Sequence, residues 1–585
     1  MPKHCVNLFS EAGEALARDV SRIPWDAYPR PHMERDSYFS LNGWWRLSVR
    51  PRRGEPFSCK IRVPFPPQAP LSGVEREVPQ DATLCYECDF TFADLPENGD
   101  RILLHVDAAD HISLLALNGA RVGGHAGGYS AICVDVTPYL QKKNRLCITV
   151  MDDDRGIFPY GKQRKKRGGM WYTPVSGIWQ SVWLERVPAA YIGELRVESD
   201  TEGATLCVEG ENAPLSGTVT LHLKEKELQF PLEGGKARIT PPDPHLWTPE
   251  TPYLYHVTVT AGEDVVRSYF ALRRIEISEH GGQKKLFLNG KPYFFHGLLD
   301  QGYYSDGLFL PATPEGYSQD ILLAKHLGFN TLRKHIKVEP ERFYFECDRL
   351  GMIVMQDMVN NGRYSFLRDT ALPTIGCKRR NDRRMHRNET ARAAFLTTME
   401  QTVRRLSFHP SVLYWTIFNE GWGQFDHATV YEKLRALDST RVIDSVSGWF
   451  LPPRGDAASD VESPHVYFKP VKLHMGARPV MLSEFGGYSH CVEGHCFNLK
   501  RNYGYRVFKT KETLAEAVKA LYEEEILPCV RAGLSGAIYT QLSDVEDETN
   551  GLVTYDRCVC KVEAEMMQAI AGKLRRACEE VTDEE

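Results

Sequence analysis

Beyond Asn289-Gly290 the chain alternates short apolar runs with longer amphipathic stretches, eight times over in about 290 residues. The apolar runs are Tyr293–His296, Asn330–Arg333, Ile353–Asp357, Val412–Asn419, Val442–Ser445, Pro464–Tyr467, Val480–Glu484 and Gly536–Gln541. Helical patterns such as Glu315–Leu327, Glu339–Leu350, Glu389–Leu406, Thr429–Leu437 and Lys511–Arg531 separate them. Eight strand–helix units in that length predict a parallel (β/α)8 TIM barrel, whose usual size is roughly 250 residues plus insertions. Such a barrel carries its chemistry at the carboxyl ends of its strands.

A chain of 585 residues exceeds what one hydrophobic core organises, so about three domains are expected. Residues 1–190 hold short β-branched and aromatic runs, Arg101–Val106, Ile112–Ala116 and Cys147–Val150 among them, broken by Asn-Gly and Gly-Gly turns. That pattern predicts a β-sandwich. Residues 191–275 repeat it on a smaller scale, with Thr218–Leu223, Tyr255–Val259 and a Pro-rich stretch from Pro241 to Pro252, as in an immunoglobulin-like β-sandwich. The barrel then takes 276–585.

Basic and acidic residues number 71 and 77 and are interspersed, giving a net charge of −6; nucleic acid is an unsuitable partner for such a surface. The stretch Met1–Val20 carries Glu11, Glu14, Arg18 and Asp19 where a secretion signal would be apolar, and no later run is long enough to span a bilayer. The 15 cysteines are odd in number and follow no repeated spacing, which suits reduced structural thiols. These readings predict a cytoplasmic protein without a membrane partner.

Arg333, Asp357, Asn419, Glu420, Tyr467 and Glu484 all fall at or just past the predicted strand ends. Two carboxylates facing each other across a barrel mouth are what glycoside hydrolysis requires, about 5 to 5.5 Å apart for retention and wider for inversion. Sequence spacing does not measure that gap.

The runs Leu413-Tyr414-Trp415-Thr416-Ile417-Phe418-Asn419-Glu420 and Pro479-Val480-Met481-Leu482-Ser483-Glu484-Phe485-Gly486 resemble the acid/base and nucleophile motifs of glycoside hydrolase family 2. Ser40-Leu41-Asn42-Gly43-Trp44-Trp45, Ser176-Gly177-Ile178-Trp179, Leu246-Trp247-Thr248-Pro249-Glu250 and Asn330-Thr331-Leu332-Arg333 extend the resemblance over nearly the whole chain. It implies a jelly-roll, sugar-binding-like sandwich, an immunoglobulin-like domain and a catalytic TIM barrel, acting as a retaining exo-β-glycosidase. By the same resemblance Glu420 would protonate the glycosidic oxygen and later deprotonate water, while Glu484 would attack the anomeric carbon. Asn419 would bond the sugar 2-hydroxyl, Arg333 would keep Glu484 ionised, and Tyr467 would orient it. His335 and His465 are candidate neighbours, Trp449 and Tyr539 candidate stacking platforms, and Asp357 either a substrate ligand or a partner of an arginine.

Family 2 includes β-galactosidases, β-glucuronidases and β-mannosidases, and fold does not choose among them. In the glucuronidase branch an Asn-x-Lys motif grips the sugar carboxylate; the matching positions here are Glu548-Thr549-Asn550, without the lysine. An acid at that place favours a neutral sugar, so a β-galactosidase-like activity is expected ahead of a uronide-acting one. Asn498-Leu499-Lys500 and the basic insertion Lys378-Arg379-Arg380 with Arg383-Arg384 pull toward the uronide. No cofactor is expected. His490-Cys491 and His495-Cys496 put four potential ligands in seven residues, a spacing unlike two-pair zinc sites, and no metal is assigned to them. The resemblance allows a homo-oligomer. A catalytically silent carbohydrate-binding protein is the rival of another class, in which Arg164–Met170 with Trp171 and Tyr172 would reach the barrel mouth; against it stands the presence of Glu420, Glu484, Asn419 and Arg333 together.

Overall fold

The structure, a computed structural model, describes residues 4–580 apart from 80, 93–95, 97–98, 153–155, 211, 375–381 and 449–457. Its carboxyl-terminal half is a sheet of eight parallel strands: β1 (Phe295–Asp300), β2 (Thr331–Lys334), β3 (Ile353–Asp357), β4 (Val412–Asn419), β5 (Val442–Ser447), β6 (His465–Val466), β7 (Met481–Gly486) and β8 (Gly536–Thr540). They pair in the order β5-β4-β3-β2-β1-β8-β7-β6. The gap between the two outer strands is bridged by the segment entering β6, where Asp460 N–H donates to Ile443 O and Gly448 N–H to Ser463 O, both at 2.9 Å. Every residue of β1 through β8 is buried, as strands walled by helices outside and side chains inside must be.

The helices obey local chemistry. Glu315–His326 and Glu341–Leu350 each follow a proline, and the latter stops at Gly351 in the left-handed region (φ 76°). Glu389–Leu406 starts at Asn388, whose side chain accepts from Ala391 N–H at 3.1 Å.

The first strand departs from expectation. The pattern placed it at Tyr293–His296, whereas β1 begins at Phe295 and runs through Gly297 to Asp300. A Cβ on Gly297 would lie 2.4 Å from Ile538 Cδ1 and 3.0 Å from Thr331 O, so this glycine permits close packing of neighbouring strands and ends nothing.

Upstream, a six-stranded and a four-stranded antiparallel sheet face each other across a core that includes Trp45, Leu47, Leu104, Ile148 and Leu184. Alternation explains the choice: along Gly43–Arg50, Trp45, Leu47 and Val49 point inward while Trp44 and Arg46 face water. A three-stranded and a four-stranded sheet follow, packed over Leu206, Val219, Val257 and Phe270. The hairpin Ile275–His280/Gln283–Leu288 then lays Leu286 and Leu288 against Phe295, Met481 and Ile538, closing the amino-terminal end of the barrel. The arm before the first sheet packs on the barrel side, where Leu16 and Trp25 join the barrel core and Trp25 Nε1 donates to Pro311 O at 3.0 Å.

The segment around residues 157–171 crosses from the first sandwich to the barrel mouth. Tyr160 N–H donates to Asn360 O (3.1 Å), Asn361 Nδ2 to Ile157 O (2.7 Å) and Tyr160 Oη to Gly362 O (2.6 Å). Twelve described cysteines are free, and Cys491 and Cys496, expected as reduced thiols, instead form a disulfide because their Cα atoms stand 5.9 Å apart across a short turn. Among the described residues no helix is long and apolar enough to cross a membrane.

Candidate active site

Arg333, at the end of β2 and wholly buried, is the hub of the barrel mouth. Its planar fork reaches Asp357 Oδ1 through Nε, Glu484 Oε1 and Ser483 O through Nη1, and Asn419 Oδ1 through Nη2, each at 3.0 Å. Burial works against its charge, yet Asp357 and Glu484 outweigh it and raise its pKa. Asp357 gives its other oxygen to His335 Nδ1 at 2.8 Å, so both its oxygens are engaged by protein groups. Burial lowers the His335 pKa despite that contact. Asn419 bonds Arg333 through its carbonyl oxygen, and its NH2 is what it can offer a sugar hydroxyl.

Glu484 lies inside β7. Tyr467, just past β6, donates its hydroxyl to Glu484 Oε2 at 2.7 Å and shares a second bond of 2.7 Å with Thr540 Oγ1. Burial alone would push the Glu484 pKa up, but His465, Arg333, His335 and Lys162 carry it down to about 2. Glu484 is therefore an anion at neutral pH. Glu420 follows β4 with φ 52°, a left-handed conformation that is costly for a side chain of this size and that turns its carboxyl across the mouth. Its N–H donates to Ser447 O at 2.8 Å. Glu420 is 22 % exposed against 6 % for Glu484, so it is the carboxylate that meets incoming solvent.

His465 sits between the two. Its Nδ1 is 2.9 Å from Glu420 Oε1 and 3.4 Å from Glu484 Oε2, while Nε2 is 2.7 Å from Ser447 Oγ. One oxygen of each carboxylate and a ring nitrogen of His465 lie within 4.8 Å of one another.

A cavity of about 590 Å3 opens beside Glu420, His465 and Tyr467, walled by residues that include Trp171 and Tyr505. The sandwich segment does reach the mouth: Trp171 packs edge-on against Trp422 at 5.2 Å, and the Arg164 guanidinium lies 5.2 Å over Trp171. A second cavity, of about 410 Å3, lies at the opposite end of the barrel by Asn289, Asn330 and Arg575, remote from these groups.

Two candidates fare differently. Tyr539, expected to stack on the sugar, is fully buried on the helix side of β8, edge-on to Phe485 at 5.6 Å, with its hydroxyl accepting from Tyr488 N–H at 3.3 Å. It is a core residue. Trp449 and the Lys378–Arg380 part of the basic insertion lie outside the described residues, and Arg383 approaches Asp426 at 3.6 Å. Asn498 bonds Asp547 at 2.8 Å and caps the turn at Lys500, so Asn498-Leu499-Lys500 is turn chemistry. In the 490–496 cluster both sulfurs are joined to each other, and His495 Nδ1 pairs with Asp556 at 2.7 Å.

Tyr505 and Lys162 escaped sequence reasoning, whereas Glu548 was singled out there as the acid beside the missing lysine. Tyr505 stacks on Tyr467, centroids 3.8 Å apart and planes 6° off parallel. Glu548 is buried, accepting from the Tyr172 hydroxyl and from Asn550 Nδ2 (3.0 Å); burial raises its pKa and Lys162 opposes that rise. Lys162 belongs to the sandwich segment, just before the Arg164–Met170 stretch that the sequence pointed toward the mouth, but was not itself singled out.

The family model described as "Glycosyl hydrolases family 2, TIM barrel domain" matches residues 281–474, and "Glycosyl hydrolases family 2" matches 193–273. The first match covers Glu420 and stops short of Glu484. A β-galactosidase of Klebsiella pneumoniae is 25% identical over 415 residues, 65% of this chain and 37% of the relative. A β-galactosidase of Aeromonas hydrophila is 26% identical over 569 residues, 84% of this chain and 52% of the relative. The alignments thus span about half or less of those relatives' length. The solved β-D-glucuronidase of Dictyoglomus thermophilum superposes with a TM-score of 0.72 at 18% identity, covering 93% of this chain and 98% of that one, a likeness of fold.

Proposed function

We propose that this chain, which belongs to glycosyl hydrolases family 2, is a retaining exo-β-glycosidase with Glu484 as nucleophile and Glu420 as general acid/base. The observation that supports the reading is that one oxygen of Glu420 and one of Glu484 come within 4.8 Å of each other, both beside His465, a close pair of acids as retention needs. Glu484 attacks the anomeric carbon while Glu420 protonates the leaving oxygen; Glu420 then deprotonates the water that hydrolyses the glycosyl–enzyme bond. Arg333 keeps Glu484 ionised, and Tyr467 and His465 hold the carboxylates in register. The NH2 of Asn419 strengthens its bond to the 2-hydroxyl as positive charge develops on the ring. The amino-terminal sandwich reads as the jelly-roll, sugar-binding-like unit and the next as immunoglobulin-like. A cytoplasmic location remains the reading on the free cysteines.

For the sugar, a neutral residue such as galactose is favoured. Glu548 stands where the uronide-binding branch carries its lysine-bearing motif, and Glu484 adds a second negative group near it. One observation favours a uronide instead. Lys162 O accepts from Tyr172 N–H at 3.1 Å, which anchors the residue above the barrel, and its ammonium lowers the pKa of both Glu548 and Glu484. A sugar carboxylate would find its counter-charge there.

Hydrolysis of nitrophenyl β-galactoside, glucuronide, galacturonide, mannoside and glucoside separates these readings, with Glu484→Gln as the blank. Turnover of the galactoside with the β-anomer released first, seen by proton NMR, supports the proposal; an α-anomer first would refute retention. Turnover of a uronide that Lys162→Met abolishes would replace the neutral-sugar reading. Sugar binding with every glycoside intact would favour the silent carbohydrate-binding protein.

A further inference from the structure

The acid/base side of the site has a composition that a sugar leaving group does not call for. We propose that it is a subsite for an aromatic alcohol, so that the natural substrates are aryl or arylmethyl glycosides; this rests on the glycosidase reading above. The cavity of about 590 Å3 is of a size that encloses a drug-sized molecule, and Glu420 opens into it. One wall is Trp171 packed edge-on against Tyr364 at 4.8 Å and 66°, with the Arg164 guanidinium over both rings. The facing wall is the parallel Tyr467–Tyr505 stack, with Phe468 edge-on to Tyr505 at 5.0 Å. Aromatic rings held this way offer a slot of apolar faces and edges for a further ring.

The rim makes the same point. Phe366 and Phe468 are 67 % and 80 % exposed, and both line this cavity. Apolar surface costs about 25 cal/mol for each Å2 left in water, and two phenylalanines gathered at one opening mark a surface that something apolar covers. The continuity with Glu420 says what that is: the group joined to the glycosidic oxygen that Glu420 protonates. A saccharide in this place would need a set of hydrogen-bonding groups matched to its hydroxyls. Among the described lining residues, Glu420 is the sole carboxylate, no asparagine or glutamine is present, and the single threonine, Thr370, already bonds the Tyr364 hydroxyl. Arg164 and Lys469 make the opening unfavourable for a cationic group.

The test compares benzyl and ethyl β-glycosides of whichever sugar the nitrophenyl panel identifies, because their leaving alcohols have similar acidity and differ in the ring. The expected result is a kcat/KM at least tenfold higher for benzyl, residing mainly in KM, and a collapse of that ratio toward one in Phe468→Ala and in Phe366→Ala. Both substitutions are at exposed positions, and the wild-type ratio needs no variant at all. Equal use of benzyl and ethyl glycosides, or a preference for a disaccharide of the same sugar, overturns the subsite and leaves the glycosidase reading standing. Absence of turnover with every glycoside, the panel included, sinks both.

Discussion

Replacing Arg333 with lysine keeps a positive charge and removes the geometry, which makes it the sharpest probe of the mouth. The guanidinium holds four oxygens at once, from Asp357, Glu484, Ser483 and Asn419, and an ammonium on a flexible stem cannot span them. Glu484 has its pKa held down at about 2, well below the usual carboxylate range, roughly 3 kcal/mol of preference for the anion. Burial opposes that preference, and His465 and Arg333 are the main groups that offset it. Loss of one charge-assisted hydrogen bond to Glu484 is worth about 1.5–3 kcal/mol. Arg333→Lys is therefore expected to lower kcat/KM by about 10- to 150-fold. The sign for pH follows from the depressed pKa: the wild-type nucleophile stays ionised down to about pH 2, so its protonation does not limit activity between pH 4 and 7. In the variant the acid limb should move up by about one to two units, to about pH 3–4. The assay is kcat/KM for the active nitrophenyl glycoside from pH 3 to 7, beside a thermal melt at each pH to establish that the fold survives. An unchanged acid limb with unchanged kcat/KM would refute Arg333 as the group that keeps Glu484 charged.

Glu420→Ala should cost far more on a benzyl glycoside, roughly 10²–10⁴-fold, than on a dinitrophenyl glycoside whose leaving group needs no proton; equal losses would remove Glu420 from the acid role. His409 is buried with Nδ1 2.6 Å from Asp348 and Nε2 2.7 Å from Glu341, and although burial opposes it these carboxylates raise its pKa to about 9. Its contribution, roughly 3 kcal/mol, is fully present below pH 6.5 and disappears as pH rises through about 9, so the melting temperature should fall across that window, and more steeply than in His409→Gln. Gly297→Ala pushes a methyl into Ile538 and should destabilise by about 1–3 kcal/mol in a urea titration; a neutral result would mean that β1 and β8 can part at no cost.

What the linear sequence carried by itself was the periodicity of the barrel and the motifs at its strand ends. Arg333, Asn419, Glu420, Tyr467 and Glu484 were legible because strand termini in a parallel barrel point one way, so residues distant in sequence converge wherever each strand stops. Tyr539 was misread for a related reason. In a strand buried on both faces, alternation does not say which face is the inside: Ile538 packs within the barrel, Tyr539 against the helices, and Thr540 reaches Tyr467. The sequence raised Arg164 and Trp171 of the first sandwich as residues that would reach the mouth; only the tertiary structure decided that Lys162 joins them, that Glu548 lies near Lys162, and that Tyr505 lies flat on Tyr467. Those partners come from segments whose own patterns are satisfied locally, and docking one domain on another leaves no periodic trace in either.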